Sequence, residues 1–308
     1  MLSQLFYWLL SMSVNGAAAG VLVLLLCRIK ALPRRLTLAL WIIPLLRLLV
    51  PFSVSGRFGL LALLPGNAVK TVMVSEKYMP ITVSNDFQTA ETYSPLTFKT
   101  DGLTSLYQAG ALLWLVGAAS ILITLAVLYH STKRELADAV HIEGRLYTSR
   151  KITGPAVYGI FRPRILLPEG WQSRDQRELD LILAHEESHL RHLDNLWRLL
   201  ALAAAAVHWF NPLIWLLLKG FLAELELACD ERVLARRGEE AKKDYALALV
   251  SCAGEKDLFA SGFLSSGAAL RTRIDHILSF RTMTILSAVF SCLLFLAAGY
   301  SLLTNGAC

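Results

Sequence analysis

The chain has 308 residues, of which 55% are apolar and 18% charged, with a formal net charge of +6. Soluble domains carry roughly 25% charged residues, and several apolar runs here approach the about 20 residues needed to cross a bilayer. A soluble all-helical protein is therefore the poorer reading and a polytopic membrane protein the better one. Five cysteines with no CxxC pair, none of them in the longest expected outer loop, argue against a disulfide framework or a cysteine zinc site.

The first apolar run continues too far for a cleavable signal and ends in bases. It is read as a span from Leu5 to Leu26, with a small-xxx-small surface at Gly16 to Gly20 that admits a close neighbour. The next stretch, RIKALPRR, holds Arg28, Lys30, Arg34 and Arg35 and no acid. A short, purely basic turn between apolar runs marks the cytoplasmic side, which places the N-terminus outside. It is one turn wide, too narrow for a nucleic-acid footprint, so no direct nucleic-acid contact is expected. Span two runs from Leu36 to Phe52 and contains Pro44 and Arg47; Arg47 lies near its far end and is expected to snorkel rather than pair. Residues 1–52 thus form a two-span unit.

Residues 53–103 balance four bases against four acids, are rich in Ser, Thr, Val, Pro and Asn, and are read as an extracytoplasmic loop. The third span, Leu106 to Leu128 within 104–129, returns to the cytoplasm at His130, Lys133 and Arg134. Residues 130–281 form a cytoplasmic domain. A fourth span, Thr284 to Leu303 within 282–308, follows Arg271, Arg273 and Arg281 and leaves the C-terminus outside.

The cytoplasmic segment opens with an expected helix from Lys133 to Val140. A hairpin or small sheet follows from Arg145 to Leu167, where Val, Ile, Tyr and Phe are punctuated by Gly and Pro. Helices are expected at Arg174 to Arg191, Trp197 to Val207, Asn211 or Pro212 to Arg236, and Glu239 to Ala253. Hydropathy alone makes Leu196 to Lys219 a fifth span, which would separate the two halves of any site built on residues 185–189 and 220–231. His208 and Asn211-Pro212 interrupt it, so two shorter helices meeting at that break are preferred, dipping into the membrane or packing on the other spans. Irregular backbone at that depth must be covered by protein.

Within LILAHEESHLRHLDN, residues 181 to 195, His185 and His189 are four apart and project from one helical face, with Glu186 beside the first. This HExxH spacing offers two imidazoles to a divalent metal and a carboxylate to its water. A catalytic zinc site takes three protein ligands, and Glu186 is placed to take the water's proton and deliver it to a leaving amine. A metzincin extension fails, because position 192 is His and position 195 is Asn. His192 is a rival third ligand, although three ligands on one straight helix seldom close a tetrahedron. FLAELELACDERV, Phe221 to Val233, is the better source: Glu226 as third ligand, with Asp230 four residues on accepting from a ligand imidazole. Glu224 and Glu231 are read as solvated.

Together, LAHEESHLRHLD, HWFNPLIWLL, ELACDERVL, GIFRPRILLPEG and LWIIPLLRLLVPF resemble the BlaR/MecR-type membrane metallopeptidase family across most of the chain. The resemblance implies Zn2+ held by His185, His189 and Glu226, with Glu186 as general base. It also implies a mainly α, four-span membrane protein with a gluzincin-like α+β domain between spans three and four. Antibiotic sensors of that family carry a penicillin-binding domain outside, after the fourth span. This chain ends at Cys308 and has no SxxK in the outer loop, so direct covalent sensing of a beta-lactam is not expected.

The GPAVYGIFRPRILL stretch resembles the family's edge strand, making Ala156, Val157, Tyr158 and Gly159 the expected backbone clamp for substrate; a purely structural hairpin is the alternative. Tyr158 and His208 are the two options for an oxyanion partner. Some relatives cut themselves before the last span, which points to Ser279–Phe280 here. The expected function is a zinc endopeptidase of a bacterial-type plasma membrane, relaying a signal by cleaving a cytosolic protein such as a transcriptional repressor. A separate sensor protein or a second copy of the chain would be its partner. The alternatives are a receptor or scaffold without catalysis, and a membrane quality-control or prenyl-protein-processing protease.

Overall fold

The computed structural model describes residues 2–29, 32–50, 54–56, 101–255, 267–280 and 304–306, with single helical positions at 293 and 297. Among these, two helices are long and apolar enough to cross a membrane, in α1 (Leu2–Leu26) and α4 (Asp101–Glu135). The apolar window of α1 is 44% buried and that of α4 only 11%, so α1 lies inside the helical bundle and α4 on its outside. Gly16 and Gly20 face α3 and α7: a Cβ on either would collide with Leu48 or Leu217.

The second span departs from the expected single helix. It is split into α2 (Arg34–Leu40) and α3 (Ile42–Leu49), with a turn at Trp41. Pro44 has no N–H to return to the carbonyl of Leu40, so the first helix ends there. Pro44 itself falls in the first turn of the next, where a missing N–H costs nothing. At about 1.5 Å per residue the pair covers roughly 24 Å, short of a roughly 30 Å hydrocarbon core. Arg47 is 7% exposed, buried among the helices rather than extended towards an interface. Apart from β1 (Val54–Gly56) and the start of α4, the expected outer loop lies outside the described residues, and so does nearly all of the fourth span. At their edges, β1 pairs in parallel with β6 (Thr304–Gly306).

Helix α4 runs unbroken to Glu135, so the separate helix expected at Lys133–Val140 is not formed. A 3-10 turn at Leu136–Asp138 ends it, and Val140 already begins a strand. Four strands, β2 (Val140–Glu143), β3 (Leu146–Ser149), β4 (Ala156–Tyr158) and β5 (Arg164–Pro168), form one sheet in the order β2-β3-β5-β4. The outer pairs are antiparallel and β3 runs parallel to β5, which leaves β2 and β4 as the edges.

Among the described residues, five longer α-helices follow: α5 (Gln176–Arg191), α6 (Asp194–Val207), α7 (Pro212–Arg237), α8 (Lys242–Glu255) and α9 (Gly267–Ser279). The apolar run at 196–219 is indeed two helices, broken at His208 to Asn211. Asn211 caps α7 by accepting from Leu213 N–H, and Pro212 occupies the first helical position. The break packs against α1 and α3. His208 is fully buried and its Nε2 lies 2.9 Å from the Leu48 carbonyl, while Asn211 Nδ2 donates to Ser13 Oγ at 2.9 Å. Ser13 is thirteen residues from the end of α1 at Leu26, or about 20 Å along the helix. Polar side chains thus satisfy backbone groups around the break.

Two cores result. One joins α1, α2, α3, α6 and the first half of α7 through Ala19, Leu40, Trp41, Leu48, Leu217 and Phe221. The other joins α5, α7, α8 and α9 through Leu181, Val233, Leu234, Tyr245, Leu249 and Ile277, and a smaller cluster at Leu167, Trp171 and Ile182 ties the sheet to α5 and α8. Helix α7 belongs to both and links the membrane helices to the sheet domain.

Candidate metal centre

Helix α5 starts at Asp175, whose carboxylate accepts from Glu178 N–H. Leu179 and Ile182 pack against the sheet and α8, and α7 covers the other side, so the two histidines and Glu186 are inside while Glu187 faces out. His185 is 6%, Glu186 8% and His189 4% exposed. The structure brings His185, His189 and Glu226 together, although Glu226 is 37 positions beyond His189. His185 Nε2 and His189 Nε2 are 3.1 Å apart. Glu226 Oε2 is 3.6 Å from the first and Oε1 3.7 Å from the second.

Those separations can be compared with what a metal requires. Ligands at about 2.0–2.1 Å in tetrahedral directions stand about 3.3–3.4 Å from one another. The observed separations bracket that value, the two to Glu226 ending on different carboxylate oxygens, so these residues are compatible with a single divalent ion. Cys229, fully buried, offers a second set: one ligand atom each from His185, His189 and Cys229 lie within 4.8 Å of one another. Its sulfur, however, is 3.4 Å from His185 Nδ1, the ring nitrogen opposite the one that meets His189 and Glu226.

Both imidazoles are fixed from behind. His189 Nδ1 lies 2.6 Å from Asp194 Oδ2, and Asp194 is 1% exposed. The link depends on Leu193, which takes φ 55 between α5 and α6. A left-handed leucine costs on the order of 1 kcal/mol, and here it turns the chain tightly enough for Asp194 to reach back five residues. His185 Nδ1 is 2.8 Å from the Tyr245 hydroxyl, which donates to Asp230 Oδ1 at 2.7 Å. Asp230 itself stands 3.4 Å from the ring, so it supports His185 mainly through Tyr245. With both Nδ1 atoms engaged, both Nε2 atoms face the centre. Asp194→Asn is expected to weaken metal binding about 10–100-fold, read by competition with a chelator.

Two arginines complete the site. Arg198 on α6 donates through Nη2 to Glu226 Oε1. Arg273 on α9 grips Asp230 with both Nε (2.8 Å) and Nη2 (2.7 Å), and its Nη1 is 3.2 Å from Glu226 Oε2. Its Nη2 also comes within 3.4 Å of His185 Nε2. Burial opposes ionisation of both carboxylates. Against it, His189, Arg273 and Arg198 hold Glu226 well below the usual carboxylate range, and Arg273 pulls Asp230 down to about 2. Both are anionic at neutral pH, the form a cation requires.

Other expected positions fall as follows. His192 turns its Nδ1 onto the Ser188 carbonyl at 2.8 Å, the end of its own helix, and takes no place among the donors. Glu224 and Glu231 are not solvated: they are 5% and 4% exposed and paired with Arg34 and Arg35. Ala156, Val157 and Tyr158 form edge strand β4. The Val157 and Gly159 carbonyls accept from Asn195 Nδ2 at 3.0 and 3.1 Å, which ties the edge to the start of α6. Tyr158 stacks on Tyr129 and donates to its carbonyl at 3.0 Å, while His208 lies among the spans, so the structure brings neither to the imidazoles. Ser279 ends α9, and Phe280 is buried against Leu181 and Tyr245.

Sequence reasoning missed Asp194, Arg198, Tyr245 and Arg273. Asp194 follows the motif directly in HLDN, and its spacing from His189 was a usable signal. Tyr245 and Arg273 lie 60 and 88 positions from His185, and no local pattern marks them.

The family model of the BlaR1 peptidase M56 matches residues 7–277. The chain is 31% identical over 173 residues to the regulatory protein BlaR1 of Bacillus licheniformis, covering 54% of this chain and 28% of that protein. It is 23% identical over 141 residues to the methicillin resistance mecR1 protein of Staphylococcus aureus, covering 44% and 24%. The match spans about a quarter of the length of these curated relatives.

Proposed function

The chain belongs to the BlaR1 peptidase M56 family, and from that premise we propose that it is a zinc-dependent membrane endopeptidase that relays a signal by cleaving a cytosolic protein. The observation that carries this reading is the triangle of His185 Nε2, His189 Nε2 and Glu226, with edges of 3.1, 3.6 and 3.7 Å. Two imidazoles and one carboxylate suit zinc and leave a position open for chemistry. A zinc ion bound there supplies Lewis acidity and lowers the pKa of water.

The chain's own residues supply the rest. Glu186, buried beside His185, takes the water's proton and returns it to the leaving amine. Arg198 and Arg273 hold the Glu226 carboxylate by its two oxygens and keep it from rotating away. Edge strand β4, anchored by Asn195 to the helix that follows the motif, offers backbone for an extended substrate near Ala156 to Gly159. Cleavage at Ser279–Phe280 would need the end of α9 to unwind and Phe280 to leave its apolar cluster. Such a cut is therefore a consequence of rearrangement at α9 rather than of the arrangement described above.

Four spans with both termini outside and residues 130–281 in the cytoplasm agree with the basic turn at 28–35. They also agree with the parallel pairing of β1 and β6, which sets the chain just after spans two and four side by side. A cytosolic transcriptional repressor is the proposed substrate. The test incubates the full chain, reconstituted in lipid nanodiscs with Zn2+, with a cytosolic extract and maps new protein N-termini. Termini that arise with the parent and vanish with Glu186→Gln are expected, including one at Phe280 if self-cleavage occurs. Identical maps for the two would contradict the proposal.

A further inference from the structure

The basic turn has a second role beyond marking the membrane side. Arg34, with a side chain 12% exposed, touches three other elements at once. Its Nη1 donates to the Cys27 carbonyl just past α1 at 2.6 Å and to Glu224 Oε1 on α7 at 3.3 Å. Its backbone N–H donates to Glu231 Oε2 at 2.6 Å, and its Nε donates to His276 Nε2 on α9 at 3.3 Å. Arg35 adds an ion pair to Glu231 Oε1 at 3.4 Å and a bond to the Glu231 carbonyl at 3.1 Å, and Thr37 donates its hydroxyl to Glu224.

Helical geometry makes this more than a local clamp. Glu224 and Glu231 are seven apart and share one face of α7, while Glu226 and Asp230, four apart, share the opposite face. One face of α7 therefore meets the membrane turn and the other builds the metal centre. Helix α9 repeats the arrangement: His276 meets Arg34, and one turn earlier Arg273 meets Asp230, Glu226 and His185. Arg34 touches none of the three donor residues, yet it holds the helix whose guanidinium does.

We infer that Arg34, at the inner end of span two, is a positioning residue for the metal centre, acting through His276 and helix α9 on Arg273. The inference rests on the metal-centre reading above. Ion pairs between packed helices transmit a shift instead of absorbing it, because close-packed interiors have little room to deform. A displacement of the inner end of span two relative to α7 would move His276, and the Arg273 guanidinium with it.

The test uses the full chain in lipid nanodiscs, stripped of metal and titrated with Co2+. The visible absorption of Co2+ reports ligand geometry, and competition with a chelator gives its dissociation constant. Arg273 grips both Glu226 and Asp230, so Arg273→Gln is expected to weaken Co2+ binding about tenfold and alter the absorption band. Arg34→Gln is expected to act in the same direction by about three- to fivefold, and to add less than about twofold when Arg273 is already replaced, because residues in one network do not add. His276→Leu cuts the link to α9 while leaving the ion pairs of Arg34 with α7. It is expected to reproduce the Arg34→Gln shift, and it keeps the measurement readable if loss of Arg34 impairs folding. Spectra and constants for Arg34→Gln and His276→Leu equal to those of the parent, or effects that multiply in the double variant, would overturn the relay alone. A parent chain that binds no Co2+ would remove the metal centre and the relay together.

Discussion

Glu186→Gln is expected to abolish peptide cleavage while leaving metal content unchanged. The exchange is isosteric, and Glu186 is 8% exposed beside His185, so a group of the same shape fills its place. It removes a carboxylate that accepts and returns a proton, a role worth about 10²–10⁴ in rate. The Nε2 atoms of His185 and His189 and the Glu226 carboxylate remain, so the ion has lost no donor. Turnover of a peptide spanning a mapped cleavage site, measured beside elemental analysis of the same sample, separates the two effects. Loss of metal together with cleavage would make Glu186 structural. Undiminished cleavage would place the base elsewhere.

Glu226→Gln is expected to do the reverse, losing the metal first and activity with it. An amide is a poorer donor than a carboxylate, and the change removes the anion that faces two guanidinium groups. Metal affinity should fall by well over the about 10–100-fold that supporting partners contribute. The variant should also be less stable without metal. Removing one partner of a buried ion pair costs about 3–5 kcal/mol. Arg273 keeps Asp230, and the Arg198 side chain is 31% exposed, so the low end of that range applies. Chelator competition and thermal unfolding of the metal-free chain read the two parts separately. A variant that binds metal like the parent would remove Glu226 from the donor set.

What the sequence made legible follows from how local each signal is. Hydropathy found α1 and α4, because a long apolar helix writes its whole character in consecutive residues. The break at His208 to Asn211 was readable from a polar residue and a proline inside an apolar run. The pairing of His185 with His189 follows from a single helical turn, and bringing Glu226 near them needed only one more helix to pack on α5.

Some misreadings are long-range and some are local. Glu224 and Glu231 look solvated until Arg34, about 190 positions earlier, is folded against them. Arg273 reads as a membrane-side marker until α9 packs on α7. The split of span two was signalled by Pro44, which lies midway along the expected Leu36–Phe52 run and removes an interior N–H. Strand β2 is four residues long, too short for alternation to compete with the helical run before it.

The central claim is that His185, His189 and Glu226 jointly hold one divalent ion. X-ray absorption at the zinc edge, on the full chain purified in nanodiscs, tests it most directly. The account predicts about one zinc per chain with nitrogen and oxygen neighbours near about 2.0–2.1 Å and no sulfur neighbour. A sulfur shell near about 2.3 Å, which only a cysteine such as Cys229 would supply, or a chain that retains no zinc, would contradict it.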